Sequence, residues 1–493
     1  MQFAKKILGA LLMIALSAVW AAGVTAPTLT LSPNIGPPTS SITVSGTGFP
    51  DYVAVDIYFD TTDVELTVAG STGAFSGVIV QVPSSAIPGS HWVTAVSRAT
   101  SAISAQAAFT VQTNWSQFRY STEHKGRNPY ENVLGTTNVS EIDLDWSYLT
   151  GGALTSSPAV SGGFVYVGSA DDYLYAINAT TGALQWKYKT GNSIVDSSPA
   201  VSNNTVYIGS TDKNVYAINA TTGALVWSFA TGGAVNSSPA VVNNTVYIGS
   251  TDDNVYAINA TTGAQVWKFA TAGEVLSSPA VAKGTVYIGS YDDSVYAINA
   301  ATGAETWKFT TGGKVFSSPA VGEALVYVGS DDNNVYAIDS KSGAEAWKFA
   351  GTNEFESSPA VFNQVVYIGS DAGIFYALNA RSGAQIWTLS SATAVMVSPP
   401  VYANGLEYVG IGNLAYAVAD IVVGTVYWGG TTSGAVTAAP TVANGVVFVA
   451  SQDDTLYAFD LNGNTQVRRA PPRPNPAMLQ PNFDLQPARS QMQ

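Results

Sequence analysis

The chain has 493 residues, 46 of them glycine, with 11% aromatic and 11% charged residues and a net charge of −14 at pH 7. This length exceeds one ordinary hydrophobic core, and the composition favours many short strands over long surface helices, so we expect several domains or a repeat array. The lack of cysteine excludes a disulfide framework, a thiol nucleophile, an iron–sulfur site and an N-terminal lipid-anchor cysteine, while the acidic balance argues against nucleic acid as a partner and favours cations or basic surfaces.

Residues 1–22 predict a secretory signal peptide. Lys5 and Lys6 precede an apolar run, and small residues follow near Ala21 and Ala22. An uncleaved anchor is the alternative, but the run is shorter than the roughly 20 residues that a bilayer span needs. We therefore expect a secreted protein, periplasmic or at the extracellular surface, with no membrane span after cleavage.

Residues 26–112 predict a small β-sandwich, because about seven short strands alternate without helical rhythm. The stretches SPNIGPP, VSGTGF, GAFSGVIVQVP and the closing FTV resemble the immunoglobulin-like IPT/TIG domains of exported proteins. Residues 113–141 form a connector, and the tail 468–493, rich in Pro, Gln and Arg, is expected to be disordered or extended.

Between the connector and the tail, residues 142–467 repeat a unit that reads SSPAV, VYIGS, VYAIN, ATTGA and a strand with Trp. Four short β-rich runs per period of about 40 residues, separated by tight-turn residues, are typical of a propeller blade. The tryptophans recur every 40 or 41 residues: Trp146, Trp186, Trp227, Trp267, Trp307, Trp347, Trp387 and Trp428.

Eight prolines begin the first strands of these units, from Pro158 to Pro440, which predicts eight blades. The last unit lacks its tryptophan, whereas Trp146 precedes the first SSP motif. The strand around Trp146 is therefore expected to complete the eighth blade and close the ring, leaving no free sheet edge. The predicted fold is all-β, an eight-bladed propeller of four-stranded blades preceded by the sandwich.

VYAINATTGALVW and its copies, with SSPAV and VYIGS, resemble the pyrroloquinoline-quinone-type propeller repeat, and the connector WSQFRYSTEHKGRNP resembles the segment that often precedes such propellers. That family includes quinone-dependent alcohol dehydrogenases, the propeller lipoprotein of the outer-membrane β-barrel assembly machine, and exported binding or scaffolding proteins. In its dehydrogenases the Ala, Gly and Trp of the repeat dock neighbouring blades. Because every copy carries them, we interpret the eight tryptophans as structural.

The resemblance also says what a quinone dehydrogenase would require: a catalytic Asp, calcium ligands, an Arg near the quinone and a vicinal disulfide. The disulfide is impossible here, and we assign no catalytic residue and no metal ligand. A hydrolase would have to recruit His91 or His124, the only histidines. We expect a non-catalytic binding or scaffolding protein without a cofactor; the alternative is a dehydrogenase of alcohols or sugars that uses pyrroloquinoline quinone with calcium.

The residue before each SSP motif varies between copies, so the fold makes no demand on it. It is expected at the mouth of the central channel, where Asp196 and Glu356 would face each other across the ring. A half-polar, half-apolar lining is typical of a small-ligand or peptide pocket, although neutral drift at a solvated rim is the explanation of the variation that we favour. The predicted ligand-binding residues are Asp196, Asn236, Leu276, Phe316, Glu356 and Met396, and the same position holds Thr155 and Thr437.

A second position is nearly constant, an Asp in the second hairpin of six blades. We interpret these residues as turn formers and keep binding of a basic partner as the alternative. The partner is expected to be a protein or small ligand, and the protein is expected to be monomeric. The six residues are Asp171, Asp212, Asp252, Asp292, Asp332 and Asp453.

Overall fold

A computed structural model describes residues 26–390, 398–419, 425–461 and 471–485. It divides into two compact units, one formed by residues up to 111 together with 470–493, the other by 112–469. The predicted signal peptide, residues 1–22, lies outside the described residues. Within the described ranges, no helix has the length and apolar character needed to cross a membrane.

The N-terminal unit contains a three-stranded and a five-stranded sheet that share one hydrophobic core. Alternate residues of each strand point into this core, as the period of two in the sequence predicts. The three-stranded sheet consists of Thr28–Ser32, Ser41–Thr47 and Phe75–Gln81, and the five-stranded sheet, in spatial order, of Ile35–Gly36, Ser104–Val111, Gly89–Ser97, Ala54–Phe59 and Thr62–Val68.

The second unit is a β-propeller of eight four-stranded antiparallel blades, which confirms the predicted fold class. The first strand of each blade is innermost and the fourth is outermost. The first seven blades run in chain order. Their strands are Ala159–Ser161, Phe164–Gly168, Tyr173–Asn178, Leu184–Lys189; Ala200–Ser202, Thr205–Gly209, Asn214–Asn219, Leu225–Ala230; Ala240–Val242, Thr245–Ser250, Asn254–Asn259, Gln265–Ala270; Ala280–Ala282, Thr285–Ser290, Ser294–Asn299, Glu305–Thr310; Ala320–Val321, Leu325–Gly329, Asn334–Asp339, Glu345–Ala350; Ala360–Phe362, Val365–Gly369, Ile374–Asn379, Gln385–Ser390; and Val401–Ala403, Leu406–Ile411, Leu414–Ala419, Val426–Thr431.

The eighth blade joins the two ends of the repeat array. Its inner strands are Thr441–Ala443, Val446–Ala450 and Thr455–Asp460, and its outer strand is Asp143–Leu149, which pairs antiparallel with Thr455–Asp460. This pairing covers the sheet edge that an incomplete last blade would expose.

The tryptophans of the outer strands connect each blade to the next. The indole Nε1 of Trp227 in blade two donates to the carbonyl of Ala260 in blade three at 2.9 Å. Bonds of the same kind are made by Trp146, Trp186, Trp267, Trp307, Trp347 and Trp428. For Trp387, the corresponding turn includes residues 420–424, which lie outside the described residues.

The connector crosses one end of the central channel and bonds to all eight blades. Its carbonyls at Ser116 and Thr122 accept from the amides of Val201 and Val281, and its residues Arg127–Asn128 pair in parallel with the first strand of blade seven. The remaining blades are reached from Trp115, Gln117, Glu123, Lys125 and Asn128. A 3-10 turn, Val139–Glu141, then leads into the outer strand of blade eight.

The C-terminal tail is extended where the structure describes it. Residues 471–485 are extended around one 3-10 turn, Pro476–Met478, and lie on the five-stranded sheet of the N-terminal unit. Of the two expected states, disordered or extended, these residues adopt the extended one: proline, arginine and backbone groups find partners there although the segment has few apolar side chains to bury.

Candidate binding site

Each repeat presents one residue at the rim of the channel, where the chain passes from an outer strand to the next inner strand. Two serines fix this passage. The hydroxyl of Ser197 accepts from the amide of Gly209 within its own blade, at 2.9 Å. The hydroxyl of Ser238 accepts from the amide of Ser198 in the preceding blade, also at 2.9 Å. The preceding residue is therefore held at the rim whatever its side chain.

The rim residues surround a cavity of about 260 Å³. Sequence comparison of the repeats predicted this grouping, and the structure brings together seven of the eight positions. Met396 lies outside the described residues. The seven that line the cavity are Thr155, Asp196, Asn236, Leu276, Phe316, Glu356 and Thr437.

The connector forms the floor of this cavity through Phe118. Beneath it, the fully buried Arg119 donates to the carbonyls of Ser358 and Pro400, in blades six and seven. Burial lowers the pKa of Arg119 to about 9, still above neutrality, so the guanidinium remains charged. The channel therefore ends at the connector and opens as a cavity on the opposite side.

The polar side of the cavity is organised around Asp196. Its backbone adopts φ +60°, and its backbone amide donates a hydrogen bond to the hydroxyl of Thr155 at 3.0 Å. Burial raises the pKa of the Asp196 carboxyl, and hydrogen bonds from Thr155 and Asn236 partly oppose this. The Asp196 carboxyl group is thus held by neutral donors rather than by a cation.

On the opposite side, four carboxyl groups form what we call the acidic sector: Asp331, Glu354, Glu356 and Asp371. One oxygen from each of Glu354, Glu356 and Asp371 lies within 4.8 Å of the others. Burial, and then the neighbouring carboxylates, raise the pKa of Asp331 and of Asp371 to about 6 and also raise that of Glu356. The four carboxyl groups therefore concentrate negative charge at this side of the mouth, which the positive charge of Lys314 partly offsets at Asp331 and Glu356.

Between the polar side and the acidic sector lies an apolar arc of Leu276 and Phe316. Tyr291 extends it, with its ring centroid 6.4 Å from that of Phe316. Burial, followed by the charge of Glu356, raises the pKa of Tyr291 to about 12. Lys314 lies over the same ring, its Nζ 4.5 Å from the centroid. The mouth therefore combines carboxyl groups with half-buried aromatic rings.

Sequence reasoning missed several of these residues. Phe118 belongs to the connector, which has no repeat to compare, so no signal pointed to it. Glu354 stands two positions before the predicted rim residue, and Asp331 and Asp371 begin the second hairpin. Both positions vary between copies, so comparing them across the repeats would have revealed the acidic sector.

The ring of hairpin aspartates is engaged inside the fold. In each of the six blades a tyrosine hydroxyl donates to the aspartate Oδ2 at 2.5–2.8 Å. The same oxygen accepts from a backbone amide of the loop that arrives from the preceding blade. This geometry supports the interpretation as turn residues and adds a role in joining blades.

The two histidines are also engaged in the fold. His91 contacts Asp60 Oδ2 through Nδ1 and the carbonyl of Ile87 through Nε2, both at 2.7 Å. His124 lies buried in the connector beside the carbonyl of Pro319, and burial, together with the charge of Arg119, lowers its pKa to about 3. Neither ring lines the cavity.

Comparison with known proteins places the propeller in a family. The family model described as outer membrane protein assembly factor BamB matches residues 90–260, 211–316, 251–395 and 370–480, more than half of the chain. The chain belongs to the BamB family. No match was found among curated proteins.

Solved structures resemble this BamB-family chain in fold. BamB from Moraxella catarrhalis is 18% identical, with 65% of this chain and 99% of that chain covered and a TM-score of 0.57. A europium-containing methanol dehydrogenase is 14% identical, with 70% and 98% covered and a TM-score of 0.63. The quinohemoprotein alcohol dehydrogenase ADHIIG from Pseudomonas putida HK5 is 16% identical, with 73% and 82% covered and a TM-score of 0.63. These likenesses concern the fold, and the neighbours include both an assembly factor and enzymes.

Proposed function

We propose that the chain is an exported, non-catalytic binding or scaffolding protein of the cell envelope or surface, whose channel mouth receives a cationic group of a protein partner or small ligand. The observation that carries this proposal is the cavity of about 260 Å³ at the mouth. It is closed at its floor, half polar and half apolar in lining, and bordered by several carboxyl groups, as expected of a site that orients a ligand.

The charges of the mouth supply the preference for a cation. Asp196 and Glu356 line the same cavity, and burial, followed by neighbouring carboxylates, raises the pKa values of Asp331 and Asp371 beside Glu356. A guanidinium or ammonium group bound there would relieve the repulsion among these carboxylates and would pack against the ring of Phe316, since Lys314 already lies over the ring of Tyr291.

The family supports the rest of the proposal. Its description as an outer membrane protein assembly factor favours a location in the cell envelope and a role in protein interaction. The signal peptide at residues 1–22 and the immunoglobulin-like character of the N-terminal unit remain parts of the proposal, the latter supported by two sheets that share a core.

Charge-matched peptides test the binding site. We expect pentapeptides Gly-Gly-X-Gly-Gly with Arg or Lys at X to bind about tenfold more tightly than the peptide with Glu, a difference of ~1.4 kcal/mol, in isothermal calorimetry at low salt. The double variant Glu356→Gln, Asp371→Asn should lose this difference. Its matched control is Glu305→Gln, which removes a carboxylate from the exposed outer strand of blade four. Binding of the Glu peptide as tightly as the Arg peptide would refute the cationic site.

The second candidate is a dehydrogenase that uses pyrroloquinoline quinone, which the structural likeness to methanol and alcohol dehydrogenases favours. The donor set does not fit this cofactor. The quinone is a polyanion, whereas the charged residues in the described cavity lining, Asp196 and Glu356, are acidic and would repel it. Arg119 lies below the floor, where its guanidinium donates to carbonyl oxygens of the fold. We therefore derive no reaction through it.

Reconstitution discriminates between the two candidates. Purified protein incubated with the quinone and calcium should show no bound chromophore after gel filtration and no dye reduction with alcohols or sugars. A stoichiometric chromophore with substrate-dependent dye reduction would favour the enzyme and would displace the binding proposal.

A further inference from the structure

The outer face of the five-stranded sheet in the N-terminal unit is covered by the C-terminal segment 471–485. Strand Gly89–Ser97 points Val93 and Ala95 into the core, so the alternate residues Trp92 and Thr94 face outward. Thr94 is nevertheless fully buried. The outer face of a sheet in a small two-sheet unit is ordinarily exposed to solvent, and here segment 471–485 covers it.

At one end of this cover, an arginine and a proline are recognised together. The guanidinium of Arg473 stacks on the ring of Trp92, 4.6 Å from its centroid. Arg473 Nε donates to Oε1 of Gln106 at 2.6 Å, and Nε2 of the same Gln106 donates to the carbonyl of Pro474 at 2.9 Å. Pro474 is buried. Gln106 thus binds both the side chain of Arg473 and the backbone carbonyl of the next residue.

At the other end, two side chains of the sheet hold the backbone of Asn482. Its amide donates to Oδ2 of Asp63 at 2.6 Å, and its carbonyl accepts from Nη2 of Arg98 at 3.2 Å. Arg98 is itself fixed by the buried Asp56 through Nε at 2.8 Å, and its guanidinium lies 5.5 Å from the ring centroid of Phe483. Both peptide hydrogen-bonding groups of this residue are therefore satisfied by the sheet.

These contacts are those of peptide recognition rather than of a hydrophobic core. The segment has prolines at four of its first six positions and at Pro481, so it is pre-extended and loses little entropy on binding, as in other proline-rich ligands. Met478 and Phe483 are about three-quarters exposed, at 75% and 74%. Because these two apolar side chains are already exposed, releasing the segment exposes little additional apolar area on it. The free-energy cost of exchanging the segment between chains is therefore low.

We propose that this face is a docking site for an Arg-Pro-containing, proline-rich segment and that it accepts segment 471–485 from a second copy of this chain as well as from its own. Segment 471–485 is the occupant because the sheet supplies partners for its arginine side chain, for the carbonyl of Pro474 and for the backbone of Asn482. The site lies in the N-terminal unit and is independent of the channel mouth. Because a tethered segment has a high effective concentration, the contact within one chain prevails in dilute wild-type protein.

The first test uses a chain that ends at residue 470 and a fluorescently labelled peptide of residues 471–485. We expect saturable binding in fluorescence anisotropy, at least tenfold tighter than to the full-length chain, whose site is occupied. The same peptide with Arg473→Ala should bind at least tenfold more weakly, because it loses both the ring of Trp92 and the bond to Gln106. Absence of binding to a truncated chain that keeps its far-ultraviolet circular dichroism would overturn the docking site.

The second test asks whether the segment is exchanged. The chain ending at residue 470 has a free site, and full-length Trp92→Ala has a free segment. We expect a one-to-one complex when the two are mixed, measured by light scattering after size exclusion, and no complex when the full-length partner also carries Arg473→Glu. If the peptide binds but the mixed chains stay monomeric, exchange between copies is refuted. Should Trp92→Ala fail to fold, Asp63→Asn with Gln106→Ala replaces it.

Discussion

The turn glycine of one blade and the tryptophan of the preceding blade form a single packing unit. Gly263 has φ +72°, and a Cβ added to it would lie 2.9 Å from the ring of Trp227. The indole of Trp227 also donates to Ala260, just before this turn. A side chain at the glycine is thus opposed twice, by the backbone conformation and by the ring that packs on it.

This double constraint predicts different costs for two otherwise similar glycines. Gly263→Ala should lower the free energy of unfolding by about 2–4 kcal/mol, combining strain and the displaced ring. Gly284→Ala should cost only about 1 kcal/mol, because Gly284 has φ +78° with nothing within 4 Å of its added Cβ. Urea denaturation measures both, and equal losses would contradict the packing unit.

The rim residues could be predicted because agreement between the copies, as at the turn glycines, marks the positions that the fold requires. Where the fold needs a residue, the copies agree, and where they disagree, as at Asp196 and Glu356, the side chain faces the cavity. The acidic sector was not assembled in advance, because Asp331 and Glu354 come from different strand connections and meet only when neighbouring blades pack.

At the scale of elements, the connector is the one part of the propeller unit whose sequence is not repeated in the blades. The connector contacts the inner strands of all eight blades and closes the channel below Phe118. Its sequence resembles a segment that precedes such propellers, but it contains no periodicity from which a position could be derived. The composition of the tail left disordered and extended structure both open for a related reason: it measures what a segment can bury by itself and not the partners that another surface offers, such as the ring of Trp92 to Arg473.

Arg119 anchors the connector between blades six and seven, so its replacement should loosen the connector locally. In Arg119→Met, the amides of Val361 and Tyr402, which donate to connector carbonyls, are expected to exchange about tenfold faster in hydrogen–deuterium exchange, equivalent to ~1.4 kcal/mol of opening free energy. The amide of Val160, at the other end of the connector, should be unaffected.

The matched control is Arg127→Met, since Arg127 is an exposed arginine of the same segment that stacks on a phenylalanine ring. This variant should leave exchange at the two amides close to wild type. Faster exchange spread evenly over the propeller in Arg119→Met would argue that the arginine stabilises the whole ring instead of its connector.

At the scale of the whole molecule, the eight blades form a symmetric frame around an asymmetric cavity. Most of the charge that the sequence carries at blade-to-blade positions is used in hydrogen bonds, as the aspartate–tyrosine pairs show. The mouth is different, because Asp331, Glu356 and Asp371 lie close together with raised pKa values. A cation is the ligand that this excess charge favours.

The pH dependence of cation binding tests this account most directly. Asp331 and Asp371 have pKa values of about 6, so they bind protons as the pH falls through 6, and the acidic sector loses negative charge. The dissociation constant of the Arg pentapeptide, measured by calorimetry from pH 5 to pH 8, should therefore rise about tenfold at the acidic end with a midpoint near 6. In Glu356→Gln, Asp371→Asn the profile should be shallower, because Asp331 is then the one of these two aspartates that still binds a proton in this range. A wild-type profile that is flat, or one that tightens toward pH 5, would contradict a cation-binding channel mouth.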